Sequence, residues 1–175
     1  EENLGRMVQA GLTFPPGAAW LYSVAIDVLG AVIMKIEGTD LEGAVRKYVT
    51  GPLDMADTSF FVTDAARLVQ PYSNALPEPT PIGDNFKQYF VPGCAPINLG
   101  TSRAFNRTAF QGGGGCMNGT ATDIVRFLDT VRAGGEPILS KETTQAMMSN
   151  QIGPLRVIFD PTGNTAFGFG GSILL

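Results

Sequence analysis

Few residues in this chain can carry chemistry, and Tyr22 with its neighbour Ser23 stands first among them. They close the stretch Trp20-Leu21-Tyr22-Ser23, which follows a rigid turn, Phe14-Pro15-Pro16-Gly17, and precedes a long apolar run from Val24 to Ile36. A phenol at a helix N-terminus meets free N–H groups and a partial positive charge, a field that favours phenolate. A phenol ordinarily titrates near about 10, so proton transfer close to neutrality also needs a cation beside it. Tyr22 is therefore the candidate catalytic residue, as a proton carrier. The competing reading is an interfacial aromatic with its hydroxyl satisfied.

Other chemistries are excluded by what the chain lacks. It has no histidine, so a Ser-His-Asp triad cannot form within it. Its lysines are Lys35, Lys47, Lys87 and Lys141, and no serine is followed three residues later by any of them. Cys94 and Cys116 have no metal-ligand spacing and are compatible with a disulfide or with two thiols. Gly112-Gly113-Gly114-Gly115 lacks the Lys-Ser or Lys-Thr of a phosphate loop. Four residues without Cβ point instead to close backbone approach. No cofactor is implied. The net charge of −4, with no basic stripe, argues against nucleic acid as a partner.

The elements that must position Tyr22 follow from periodicity. The apolar residues between Val24 and Ile36 cover every side of a 3.6-residue period, which predicts a helix buried all round, with Ser23 as N-cap and Gly38 as C′ residue. Asp27, Gly30 and Lys35 interrupt it, and it is too short to span a bilayer; no transmembrane segment is expected. Thr39-Asp40-Leu41-Glu42 reads as a capping box ahead of an amphipathic helix on Leu41, Ala44, Val45, Tyr48 and Val49, ended by Gly51-Pro52. Residues 70–115, broken by repeated Pro and Gly, read as a long irregular loop region. Thr120-Ala121-Thr122-Asp123 is a second capping box, before an apolar face of Ile124, Phe127, Leu128 and Val131. Ser140 caps a short helix over 141–149, and 167–175 reads as a Gly-rich strand followed by an apolar one.

Several stretches resemble, in order, the serine β-lactamase and penicillin-binding-protein-like superfamily, nearest to its class C β-lactamase and carboxylesterase branch. Pro16-Gly17 through Trp20-Leu21-Tyr22-Ser23 to Ile33 is similar to the second motif of that family. Gly51-Pro52-Leu53-Asp54-Met55-Ala56-Asp57-Thr58-Ser59-Phe60 and the run from Gly112 through Thr120-Ala121-Thr122-Asp123 to Arg126-Phe127-Leu128 are similar to two further segments. Ile138-Leu139-Ser140 with Thr143, and Phe167-Gly168-Phe169-Gly170, also fit. The resemblance implies an α+β, helix-rich fold: the helical half of a β-lactamase/transpeptidase-like architecture, with short strands and an incomplete antiparallel sheet. It implies one domain over residues 1–175, the middle of a larger hydrolase without its first motif (SxxK) and third motif. Loop 70–115 would be the family's variable region over the active-site mouth.

In such a hydrolase a serine attacks the acyl carbon, an acyl-enzyme forms, and a lysine and the motif tyrosine share the proton work. Tyr22 matches that tyrosine. Two residues on, where the family commonly places Asn, stands Val24. That departure points toward the esterase or acyltransferase branch. Asp27 either replaces part of that polar role or is a carboxylate favoured by the helix dipole. The expected function is a fragment of a serine hydrolase acting on a small-molecule acyl substrate, inactive alone. The alternative is a non-catalytic binding or scaffold protein on the same fold.

Overall fold

In the computed structural model, residues 2–74, 76–89 and 96–175 are described. The fold is α+β and helix-rich, as expected. Helices α1 (Glu2–Ala10), α2 (Ala25–Glu37) and α3 (Leu41–Val45) come first, and α3 runs on into a single π-helical turn, Arg46–Thr50. The region 70–115 holds short paired strands, β1 (Tyr72–Ser73), β2 (Thr80–Pro81), β3 (Lys87–Gln88) and β4 (Ile97–Asn98), then a 3-10 helix, Thr101–Phe105. Helices α4 (Ala121–Arg132) and α5 (Lys141–Met147) follow, and the hairpin of β5 (Thr165–Phe167) and β6 (Ser172–Leu174) closes the chain. Among the described residues, strands pair only as separate two-stranded antiparallel sheets, β1–β2, β3–β4 and β5–β6. Residues 90–95, Cys94 among them, lie outside the described set, so the pairing of the two cysteines does too; Cys116 is exposed.

The caps explain where the helices start and stop, with adjustments to the sequence reading. Gly38 adopts φ 65° and donates its N–H to the Met34 carbonyl, a C-terminal cap as expected. At the other end the cap position is Val24, not Ser23; the Ser23 hydroxyl still accepts the Ala25 N–H at 3.2 Å. Ahead of α3 the cap is Asp40, which accepts the Gly43 N–H at 2.8 Å, rather than Thr39. Thr120 and Ser140 cap α4 and α5 through the N–H groups of Asp123 and Thr143.

The expectation that α2 is enclosed on all sides is not met. Gly30 is its only buried residue, while Ile26, Val28, Leu29, Val32 and Ile36 are all 41–75% exposed. One strip of the helix is covered, by α3 and by the glycine loop 112–115, and the remaining faces have no partner among the described residues. The apolar face of α4 is open in the same way, with Ile124 and Leu128 exposed and Phe127 and Val131 half-buried. The buried apolar residues, Leu41, Ala44, Met55, Phe60, Val157 and Ala166, are correspondingly few.

Where α2 is covered, contact is backbone to backbone. A Cβ on Gly113 would lie 2.3 Å from the Ile26 carbonyl oxygen, and one on Gly30 would lie 3.2 Å from Leu41 Cδ2 and 3.5 Å from the Gly113 Cα. The Gly114 N–H donates to Asp27 Oδ1 at 3.1 Å. Asp27 is thus the anchor of the glycine loop, a role that neither sequence reading of it included. A Gly113→Ala substitution meets main chain that cannot swing aside, so it is expected to destabilise the fold by about 1–3 kcal/mol, checked by urea unfolding; an unchanged midpoint would show that the loop can lift off α2.

Two buried carboxylates tie the segments after α2 together. Glu42 accepts the Phe60 N–H at 2.8 Å and pairs with Arg46 at 3.0 Å, while its own N–H donates to Gln111 Oε1 at 2.8 Å. Asp123, 3% exposed, accepts the Asp57 N–H at 3.0 Å and the Thr58 hydroxyl at 2.9 Å, with Arg126 at 3.5 Å. The sequence reading assigned both residues to local capping boxes. Their carboxylates instead reach across the fold and satisfy donors of the 57–60 segment, which buried polar groups require. Residue Ser59 then bridges to Asn118 through paired backbone hydrogen bonds.

Candidate active site

Tyr22 stands in the extended stretch that leads into α2, three residues before Ala25 opens the helix. Tyr22 is 71% exposed, so the helix end that the sequence reading enclosed lies open. The cause is the same as for α2: the surrounding structure covers one side of this region and leaves the other open.

The covered side is aromatic. The Tyr22 ring meets Phe159 edge-on, with centroids 6.2 Å apart and planes at 69°. Trp20 packs T-shaped on Phe159 at 5.4 Å and tilted on Phe167 at 4.5 Å, and Phe159 and Phe167 lie 6.4 Å apart. Edge-to-face geometry at these separations sets the positive rim of one ring on the negative face of the next. Three stretches of sequence thus converge at the head of α2: the 20–22 segment, the loop bearing Phe159, and strand β5.

Local structure fixes the Phe159 loop. The Asp160 Oδ1 accepts the Thr162 N–H at 2.9 Å and the Thr162 hydroxyl at 2.5 Å. These bonds from Thr162, the largest cause, pull the Asp160 carboxyl down from its ordinary value to about 2. Asp160 is therefore an anion across the working pH range, already committed to its own turn. Phe167 is held by β5, paired with β6 in the register Phe167 to Ser172.

Sequence reasoning singled out Tyr22, Trp20 and Ser23, and the structure places all three at one end of α2. It missed Phe159. The available signal was weak, an apolar triplet Val157-Ile158-Phe159 ahead of Asp160-Pro161, which reads equally well as a loop or a strand end. Of the lysines, Lys47 is held by Glu37 at 2.8 Å, in a cluster with the Tyr48 hydroxyl on the surface beyond the other end of α2. The opposed Glu37 carboxylate raises the Lys47 ammonium well above its usual range. Among the described residues no group of His, Cys, Asp and Glu side chains is arranged to hold a metal ion, and no helix is long and apolar enough to cross a membrane.

The arrangement presents one phenol and a set of packed rings at the head of α2. Comparison with known proteins places it in context. Esterase EstB of Burkholderia gladioli is 35% identical over 171 residues, which is 97% of this chain and 42% of that protein. EstCE1, described as a hydrolase with promiscuous acyltransferase activity, superposes with a TM-score of 0.82 at 34% identity, over 98% of this chain and 45% of that one. The octameric penicillin-binding protein homologue from Pyrococcus abyssi shares the fold, with a TM-score of 0.66 at 20% identity over 97% of this chain and 33% of that one. The chain spans less than half the length of these relatives. The Beta-lactamase family model matches residues 1–172, so the chain belongs to the β-lactamase family.

Proposed function

We propose that this chain is the helix-rich middle part of a serine hydrolase that cleaves esters or amides through an acyl-enzyme, with Tyr22 as its proton-carrying phenol. A serine and a lysine of the SxxK type, supplied by the rest of the protein, complete the site. The lysine ammonium beside the phenol favours its ionised form, and the phenolate then accepts the serine proton. The observation that carries this reading is the position of Tyr22, at the head of α2 with an open face, within a stretch that resembles the family's second motif. The similarity to EstB favours an ester as substrate.

No serine of this chain is followed three residues later by lysine, so alone it is expected to be inactive. The test is p-nitrophenyl ester turnover: the full-length protein should show a burst of p-nitrophenol from acylation, and residues 1–175 alone should show none. A burst from the isolated chain would overturn the assignment of the nucleophile to another part of the protein. No burst from the full-length protein, with no SxxK in its reading frame, would favour the non-catalytic scaffold instead.

A further inference from the structure

Tyr22 lies on a stretch with no backbone support of its own. Among the described residues, no backbone hydrogen bond is formed by the N–H or carbonyl groups of 19–22. The position of the Tyr22 main chain is therefore set by the first turn of α2, which begins three residues later. That turn is closed by the Val24 carbonyl, which accepts the Asp27 N–H at 3.0 Å and the Val28 N–H at 3.3 Å, and by the Ser23 hydroxyl on the Ala25 N–H. Asp27, half-buried, ties it to the glycine loop.

The loop that Asp27 meets is itself fixed. The Gly115 N–H donates to the Gly112 carbonyl at 3.3 Å and closes 112–115 as a turn. The Arg103 guanidinium donates to the Phe110 carbonyl at 2.8 Å and to Cys116 Sγ at 2.9 Å, so it holds the loop on both flanks. Gln111 accepts the Glu42 N–H at 2.8 Å and donates to Asp40 Oδ2 at 3.2 Å, which joins the loop to the start of α3. Asp27 Oδ1 takes the Gly114 N–H at 3.1 Å, and a Cβ on Gly112 would lie only 2.8 Å from the same oxygen. The carboxylate thus sits against main chain rather than against flexible side chains.

We propose that Asp27 is the positioning residue of Tyr22: its hydrogen bond to Gly114 fixes the first turn of α2, and through that turn the point from which the phenol reaches. The inference rests on the reading of Tyr22 as proton carrier. Proton transfer is sensitive to placement, and a misplacement of about 1 Å caused by a distant change can cost about 10²-fold in rate. Without the carboxylate the first turn keeps its Val24 bonds but is free to shift along the glycine loop, and Tyr22 shifts with it. The edge-on contact with Phe159 restrains the ring; it does not fix the backbone from which the ring projects.

The test is a double-mutant cycle on kcat of the full-length enzyme for a p-nitrophenyl ester. Asp27→Ala should lower kcat about tenfold with KM unchanged. Asp27→Asn loses the charge but keeps Oδ1 as an acceptor for the Gly114 N–H, and should stay within about twofold of wild type. In Tyr22→Phe the phenol oxygen is gone, so adding Asp27→Ala should change kcat no further.

A loss of folded protein would lower kcat equally in both backgrounds. A fall that persists in Tyr22→Phe therefore overturns the positioning role, as does wild-type kcat in Asp27→Ala. An Asn variant as slow as the Ala variant overturns it too, since the charge at the helix N-terminus, and not the bond to Gly114, would then be at work. The proton-carrier reading fails separately, when Tyr22→Phe alone keeps wild-type kcat, whatever Asp27→Ala does.

Discussion

Tyr22→Phe in the full-length hydrolase is expected to lower kcat for ester cleavage by about 10²- to 10⁴-fold, with KM close to its wild-type value. The substitution removes one oxygen and almost nothing else. The ring would still meet Phe159 edge-on, at the 6.2 Å separation seen for tyrosine, because that contact involves the ring and not the hydroxyl. With Tyr22 71% exposed, the loss of the hydroxyl leaves no buried donor stranded, so folding should be unaffected. The effect is then confined to proton transfer. An equal fall in kcat and kcat/KM is the signature of an interaction made only in the transition state, whereas a rise in KM alone would mean that the phenol merely binds substrate. Retention of more than about a tenth of wild-type kcat would remove Tyr22 from the proton path.

The largest effect on stability is expected at Asp123. Asp123→Ala should lower the unfolding free energy by about 3 kcal/mol, measured by urea denaturation with an unchanged m-value. The carboxylate, 3% exposed, receives the Asp57 N–H and the Thr58 hydroxyl, and Arg126 stands 3.5 Å away. Alanine would leave both donors without a partner and the guanidinium without its nearer carboxylate. Asp123→Asn retains one acceptor oxygen and should cost about half as much. The network reaches further, since the Asp57 side chain forms a forked pair with Arg67, and Arg126 also donates to the Asp54 carbonyl. If Asp123→Ala proved as stable as the wild type, water or a shifted Arg126 would have to satisfy Asp57 and Thr58 instead.

Several features were legible in the sequence because they depend on neighbours along the chain. Gly38 ends α2 because φ 65° is open to glycine at little cost, and Thr120 and Ser140 cap their helices through N–H groups three residues ahead. The four glycines at 112–115 could be read as a close approach without knowing to what. Only the folded structure identifies the partner as the Ile26 carbonyl and the anchor as Asp27.

The errors share one cause. A residue with two possible partners cannot be assigned from spacing. Glu42 and Asp123 each fit a capping box, but the donors that win their carboxylates are 18 and 65–66 residues away. Burial of α2 was inferred from its composition, yet whether an apolar side chain is enclosed depends on what packs against it, and along most of α2 nothing among the described residues does.

What the sequence by itself determined was the family, the C-terminal stop of α2 and the caps of α4 and α5, all of which rest on residue type and short-range order. Tertiary structure alone decided that Phe159 and Phe167 come to the same end of α2 as Tyr22, and that this end is open. Loop and strand residues more than a hundred positions distant carry no local signal of where the chain will fold them, because their contacts are set by the packing of the whole.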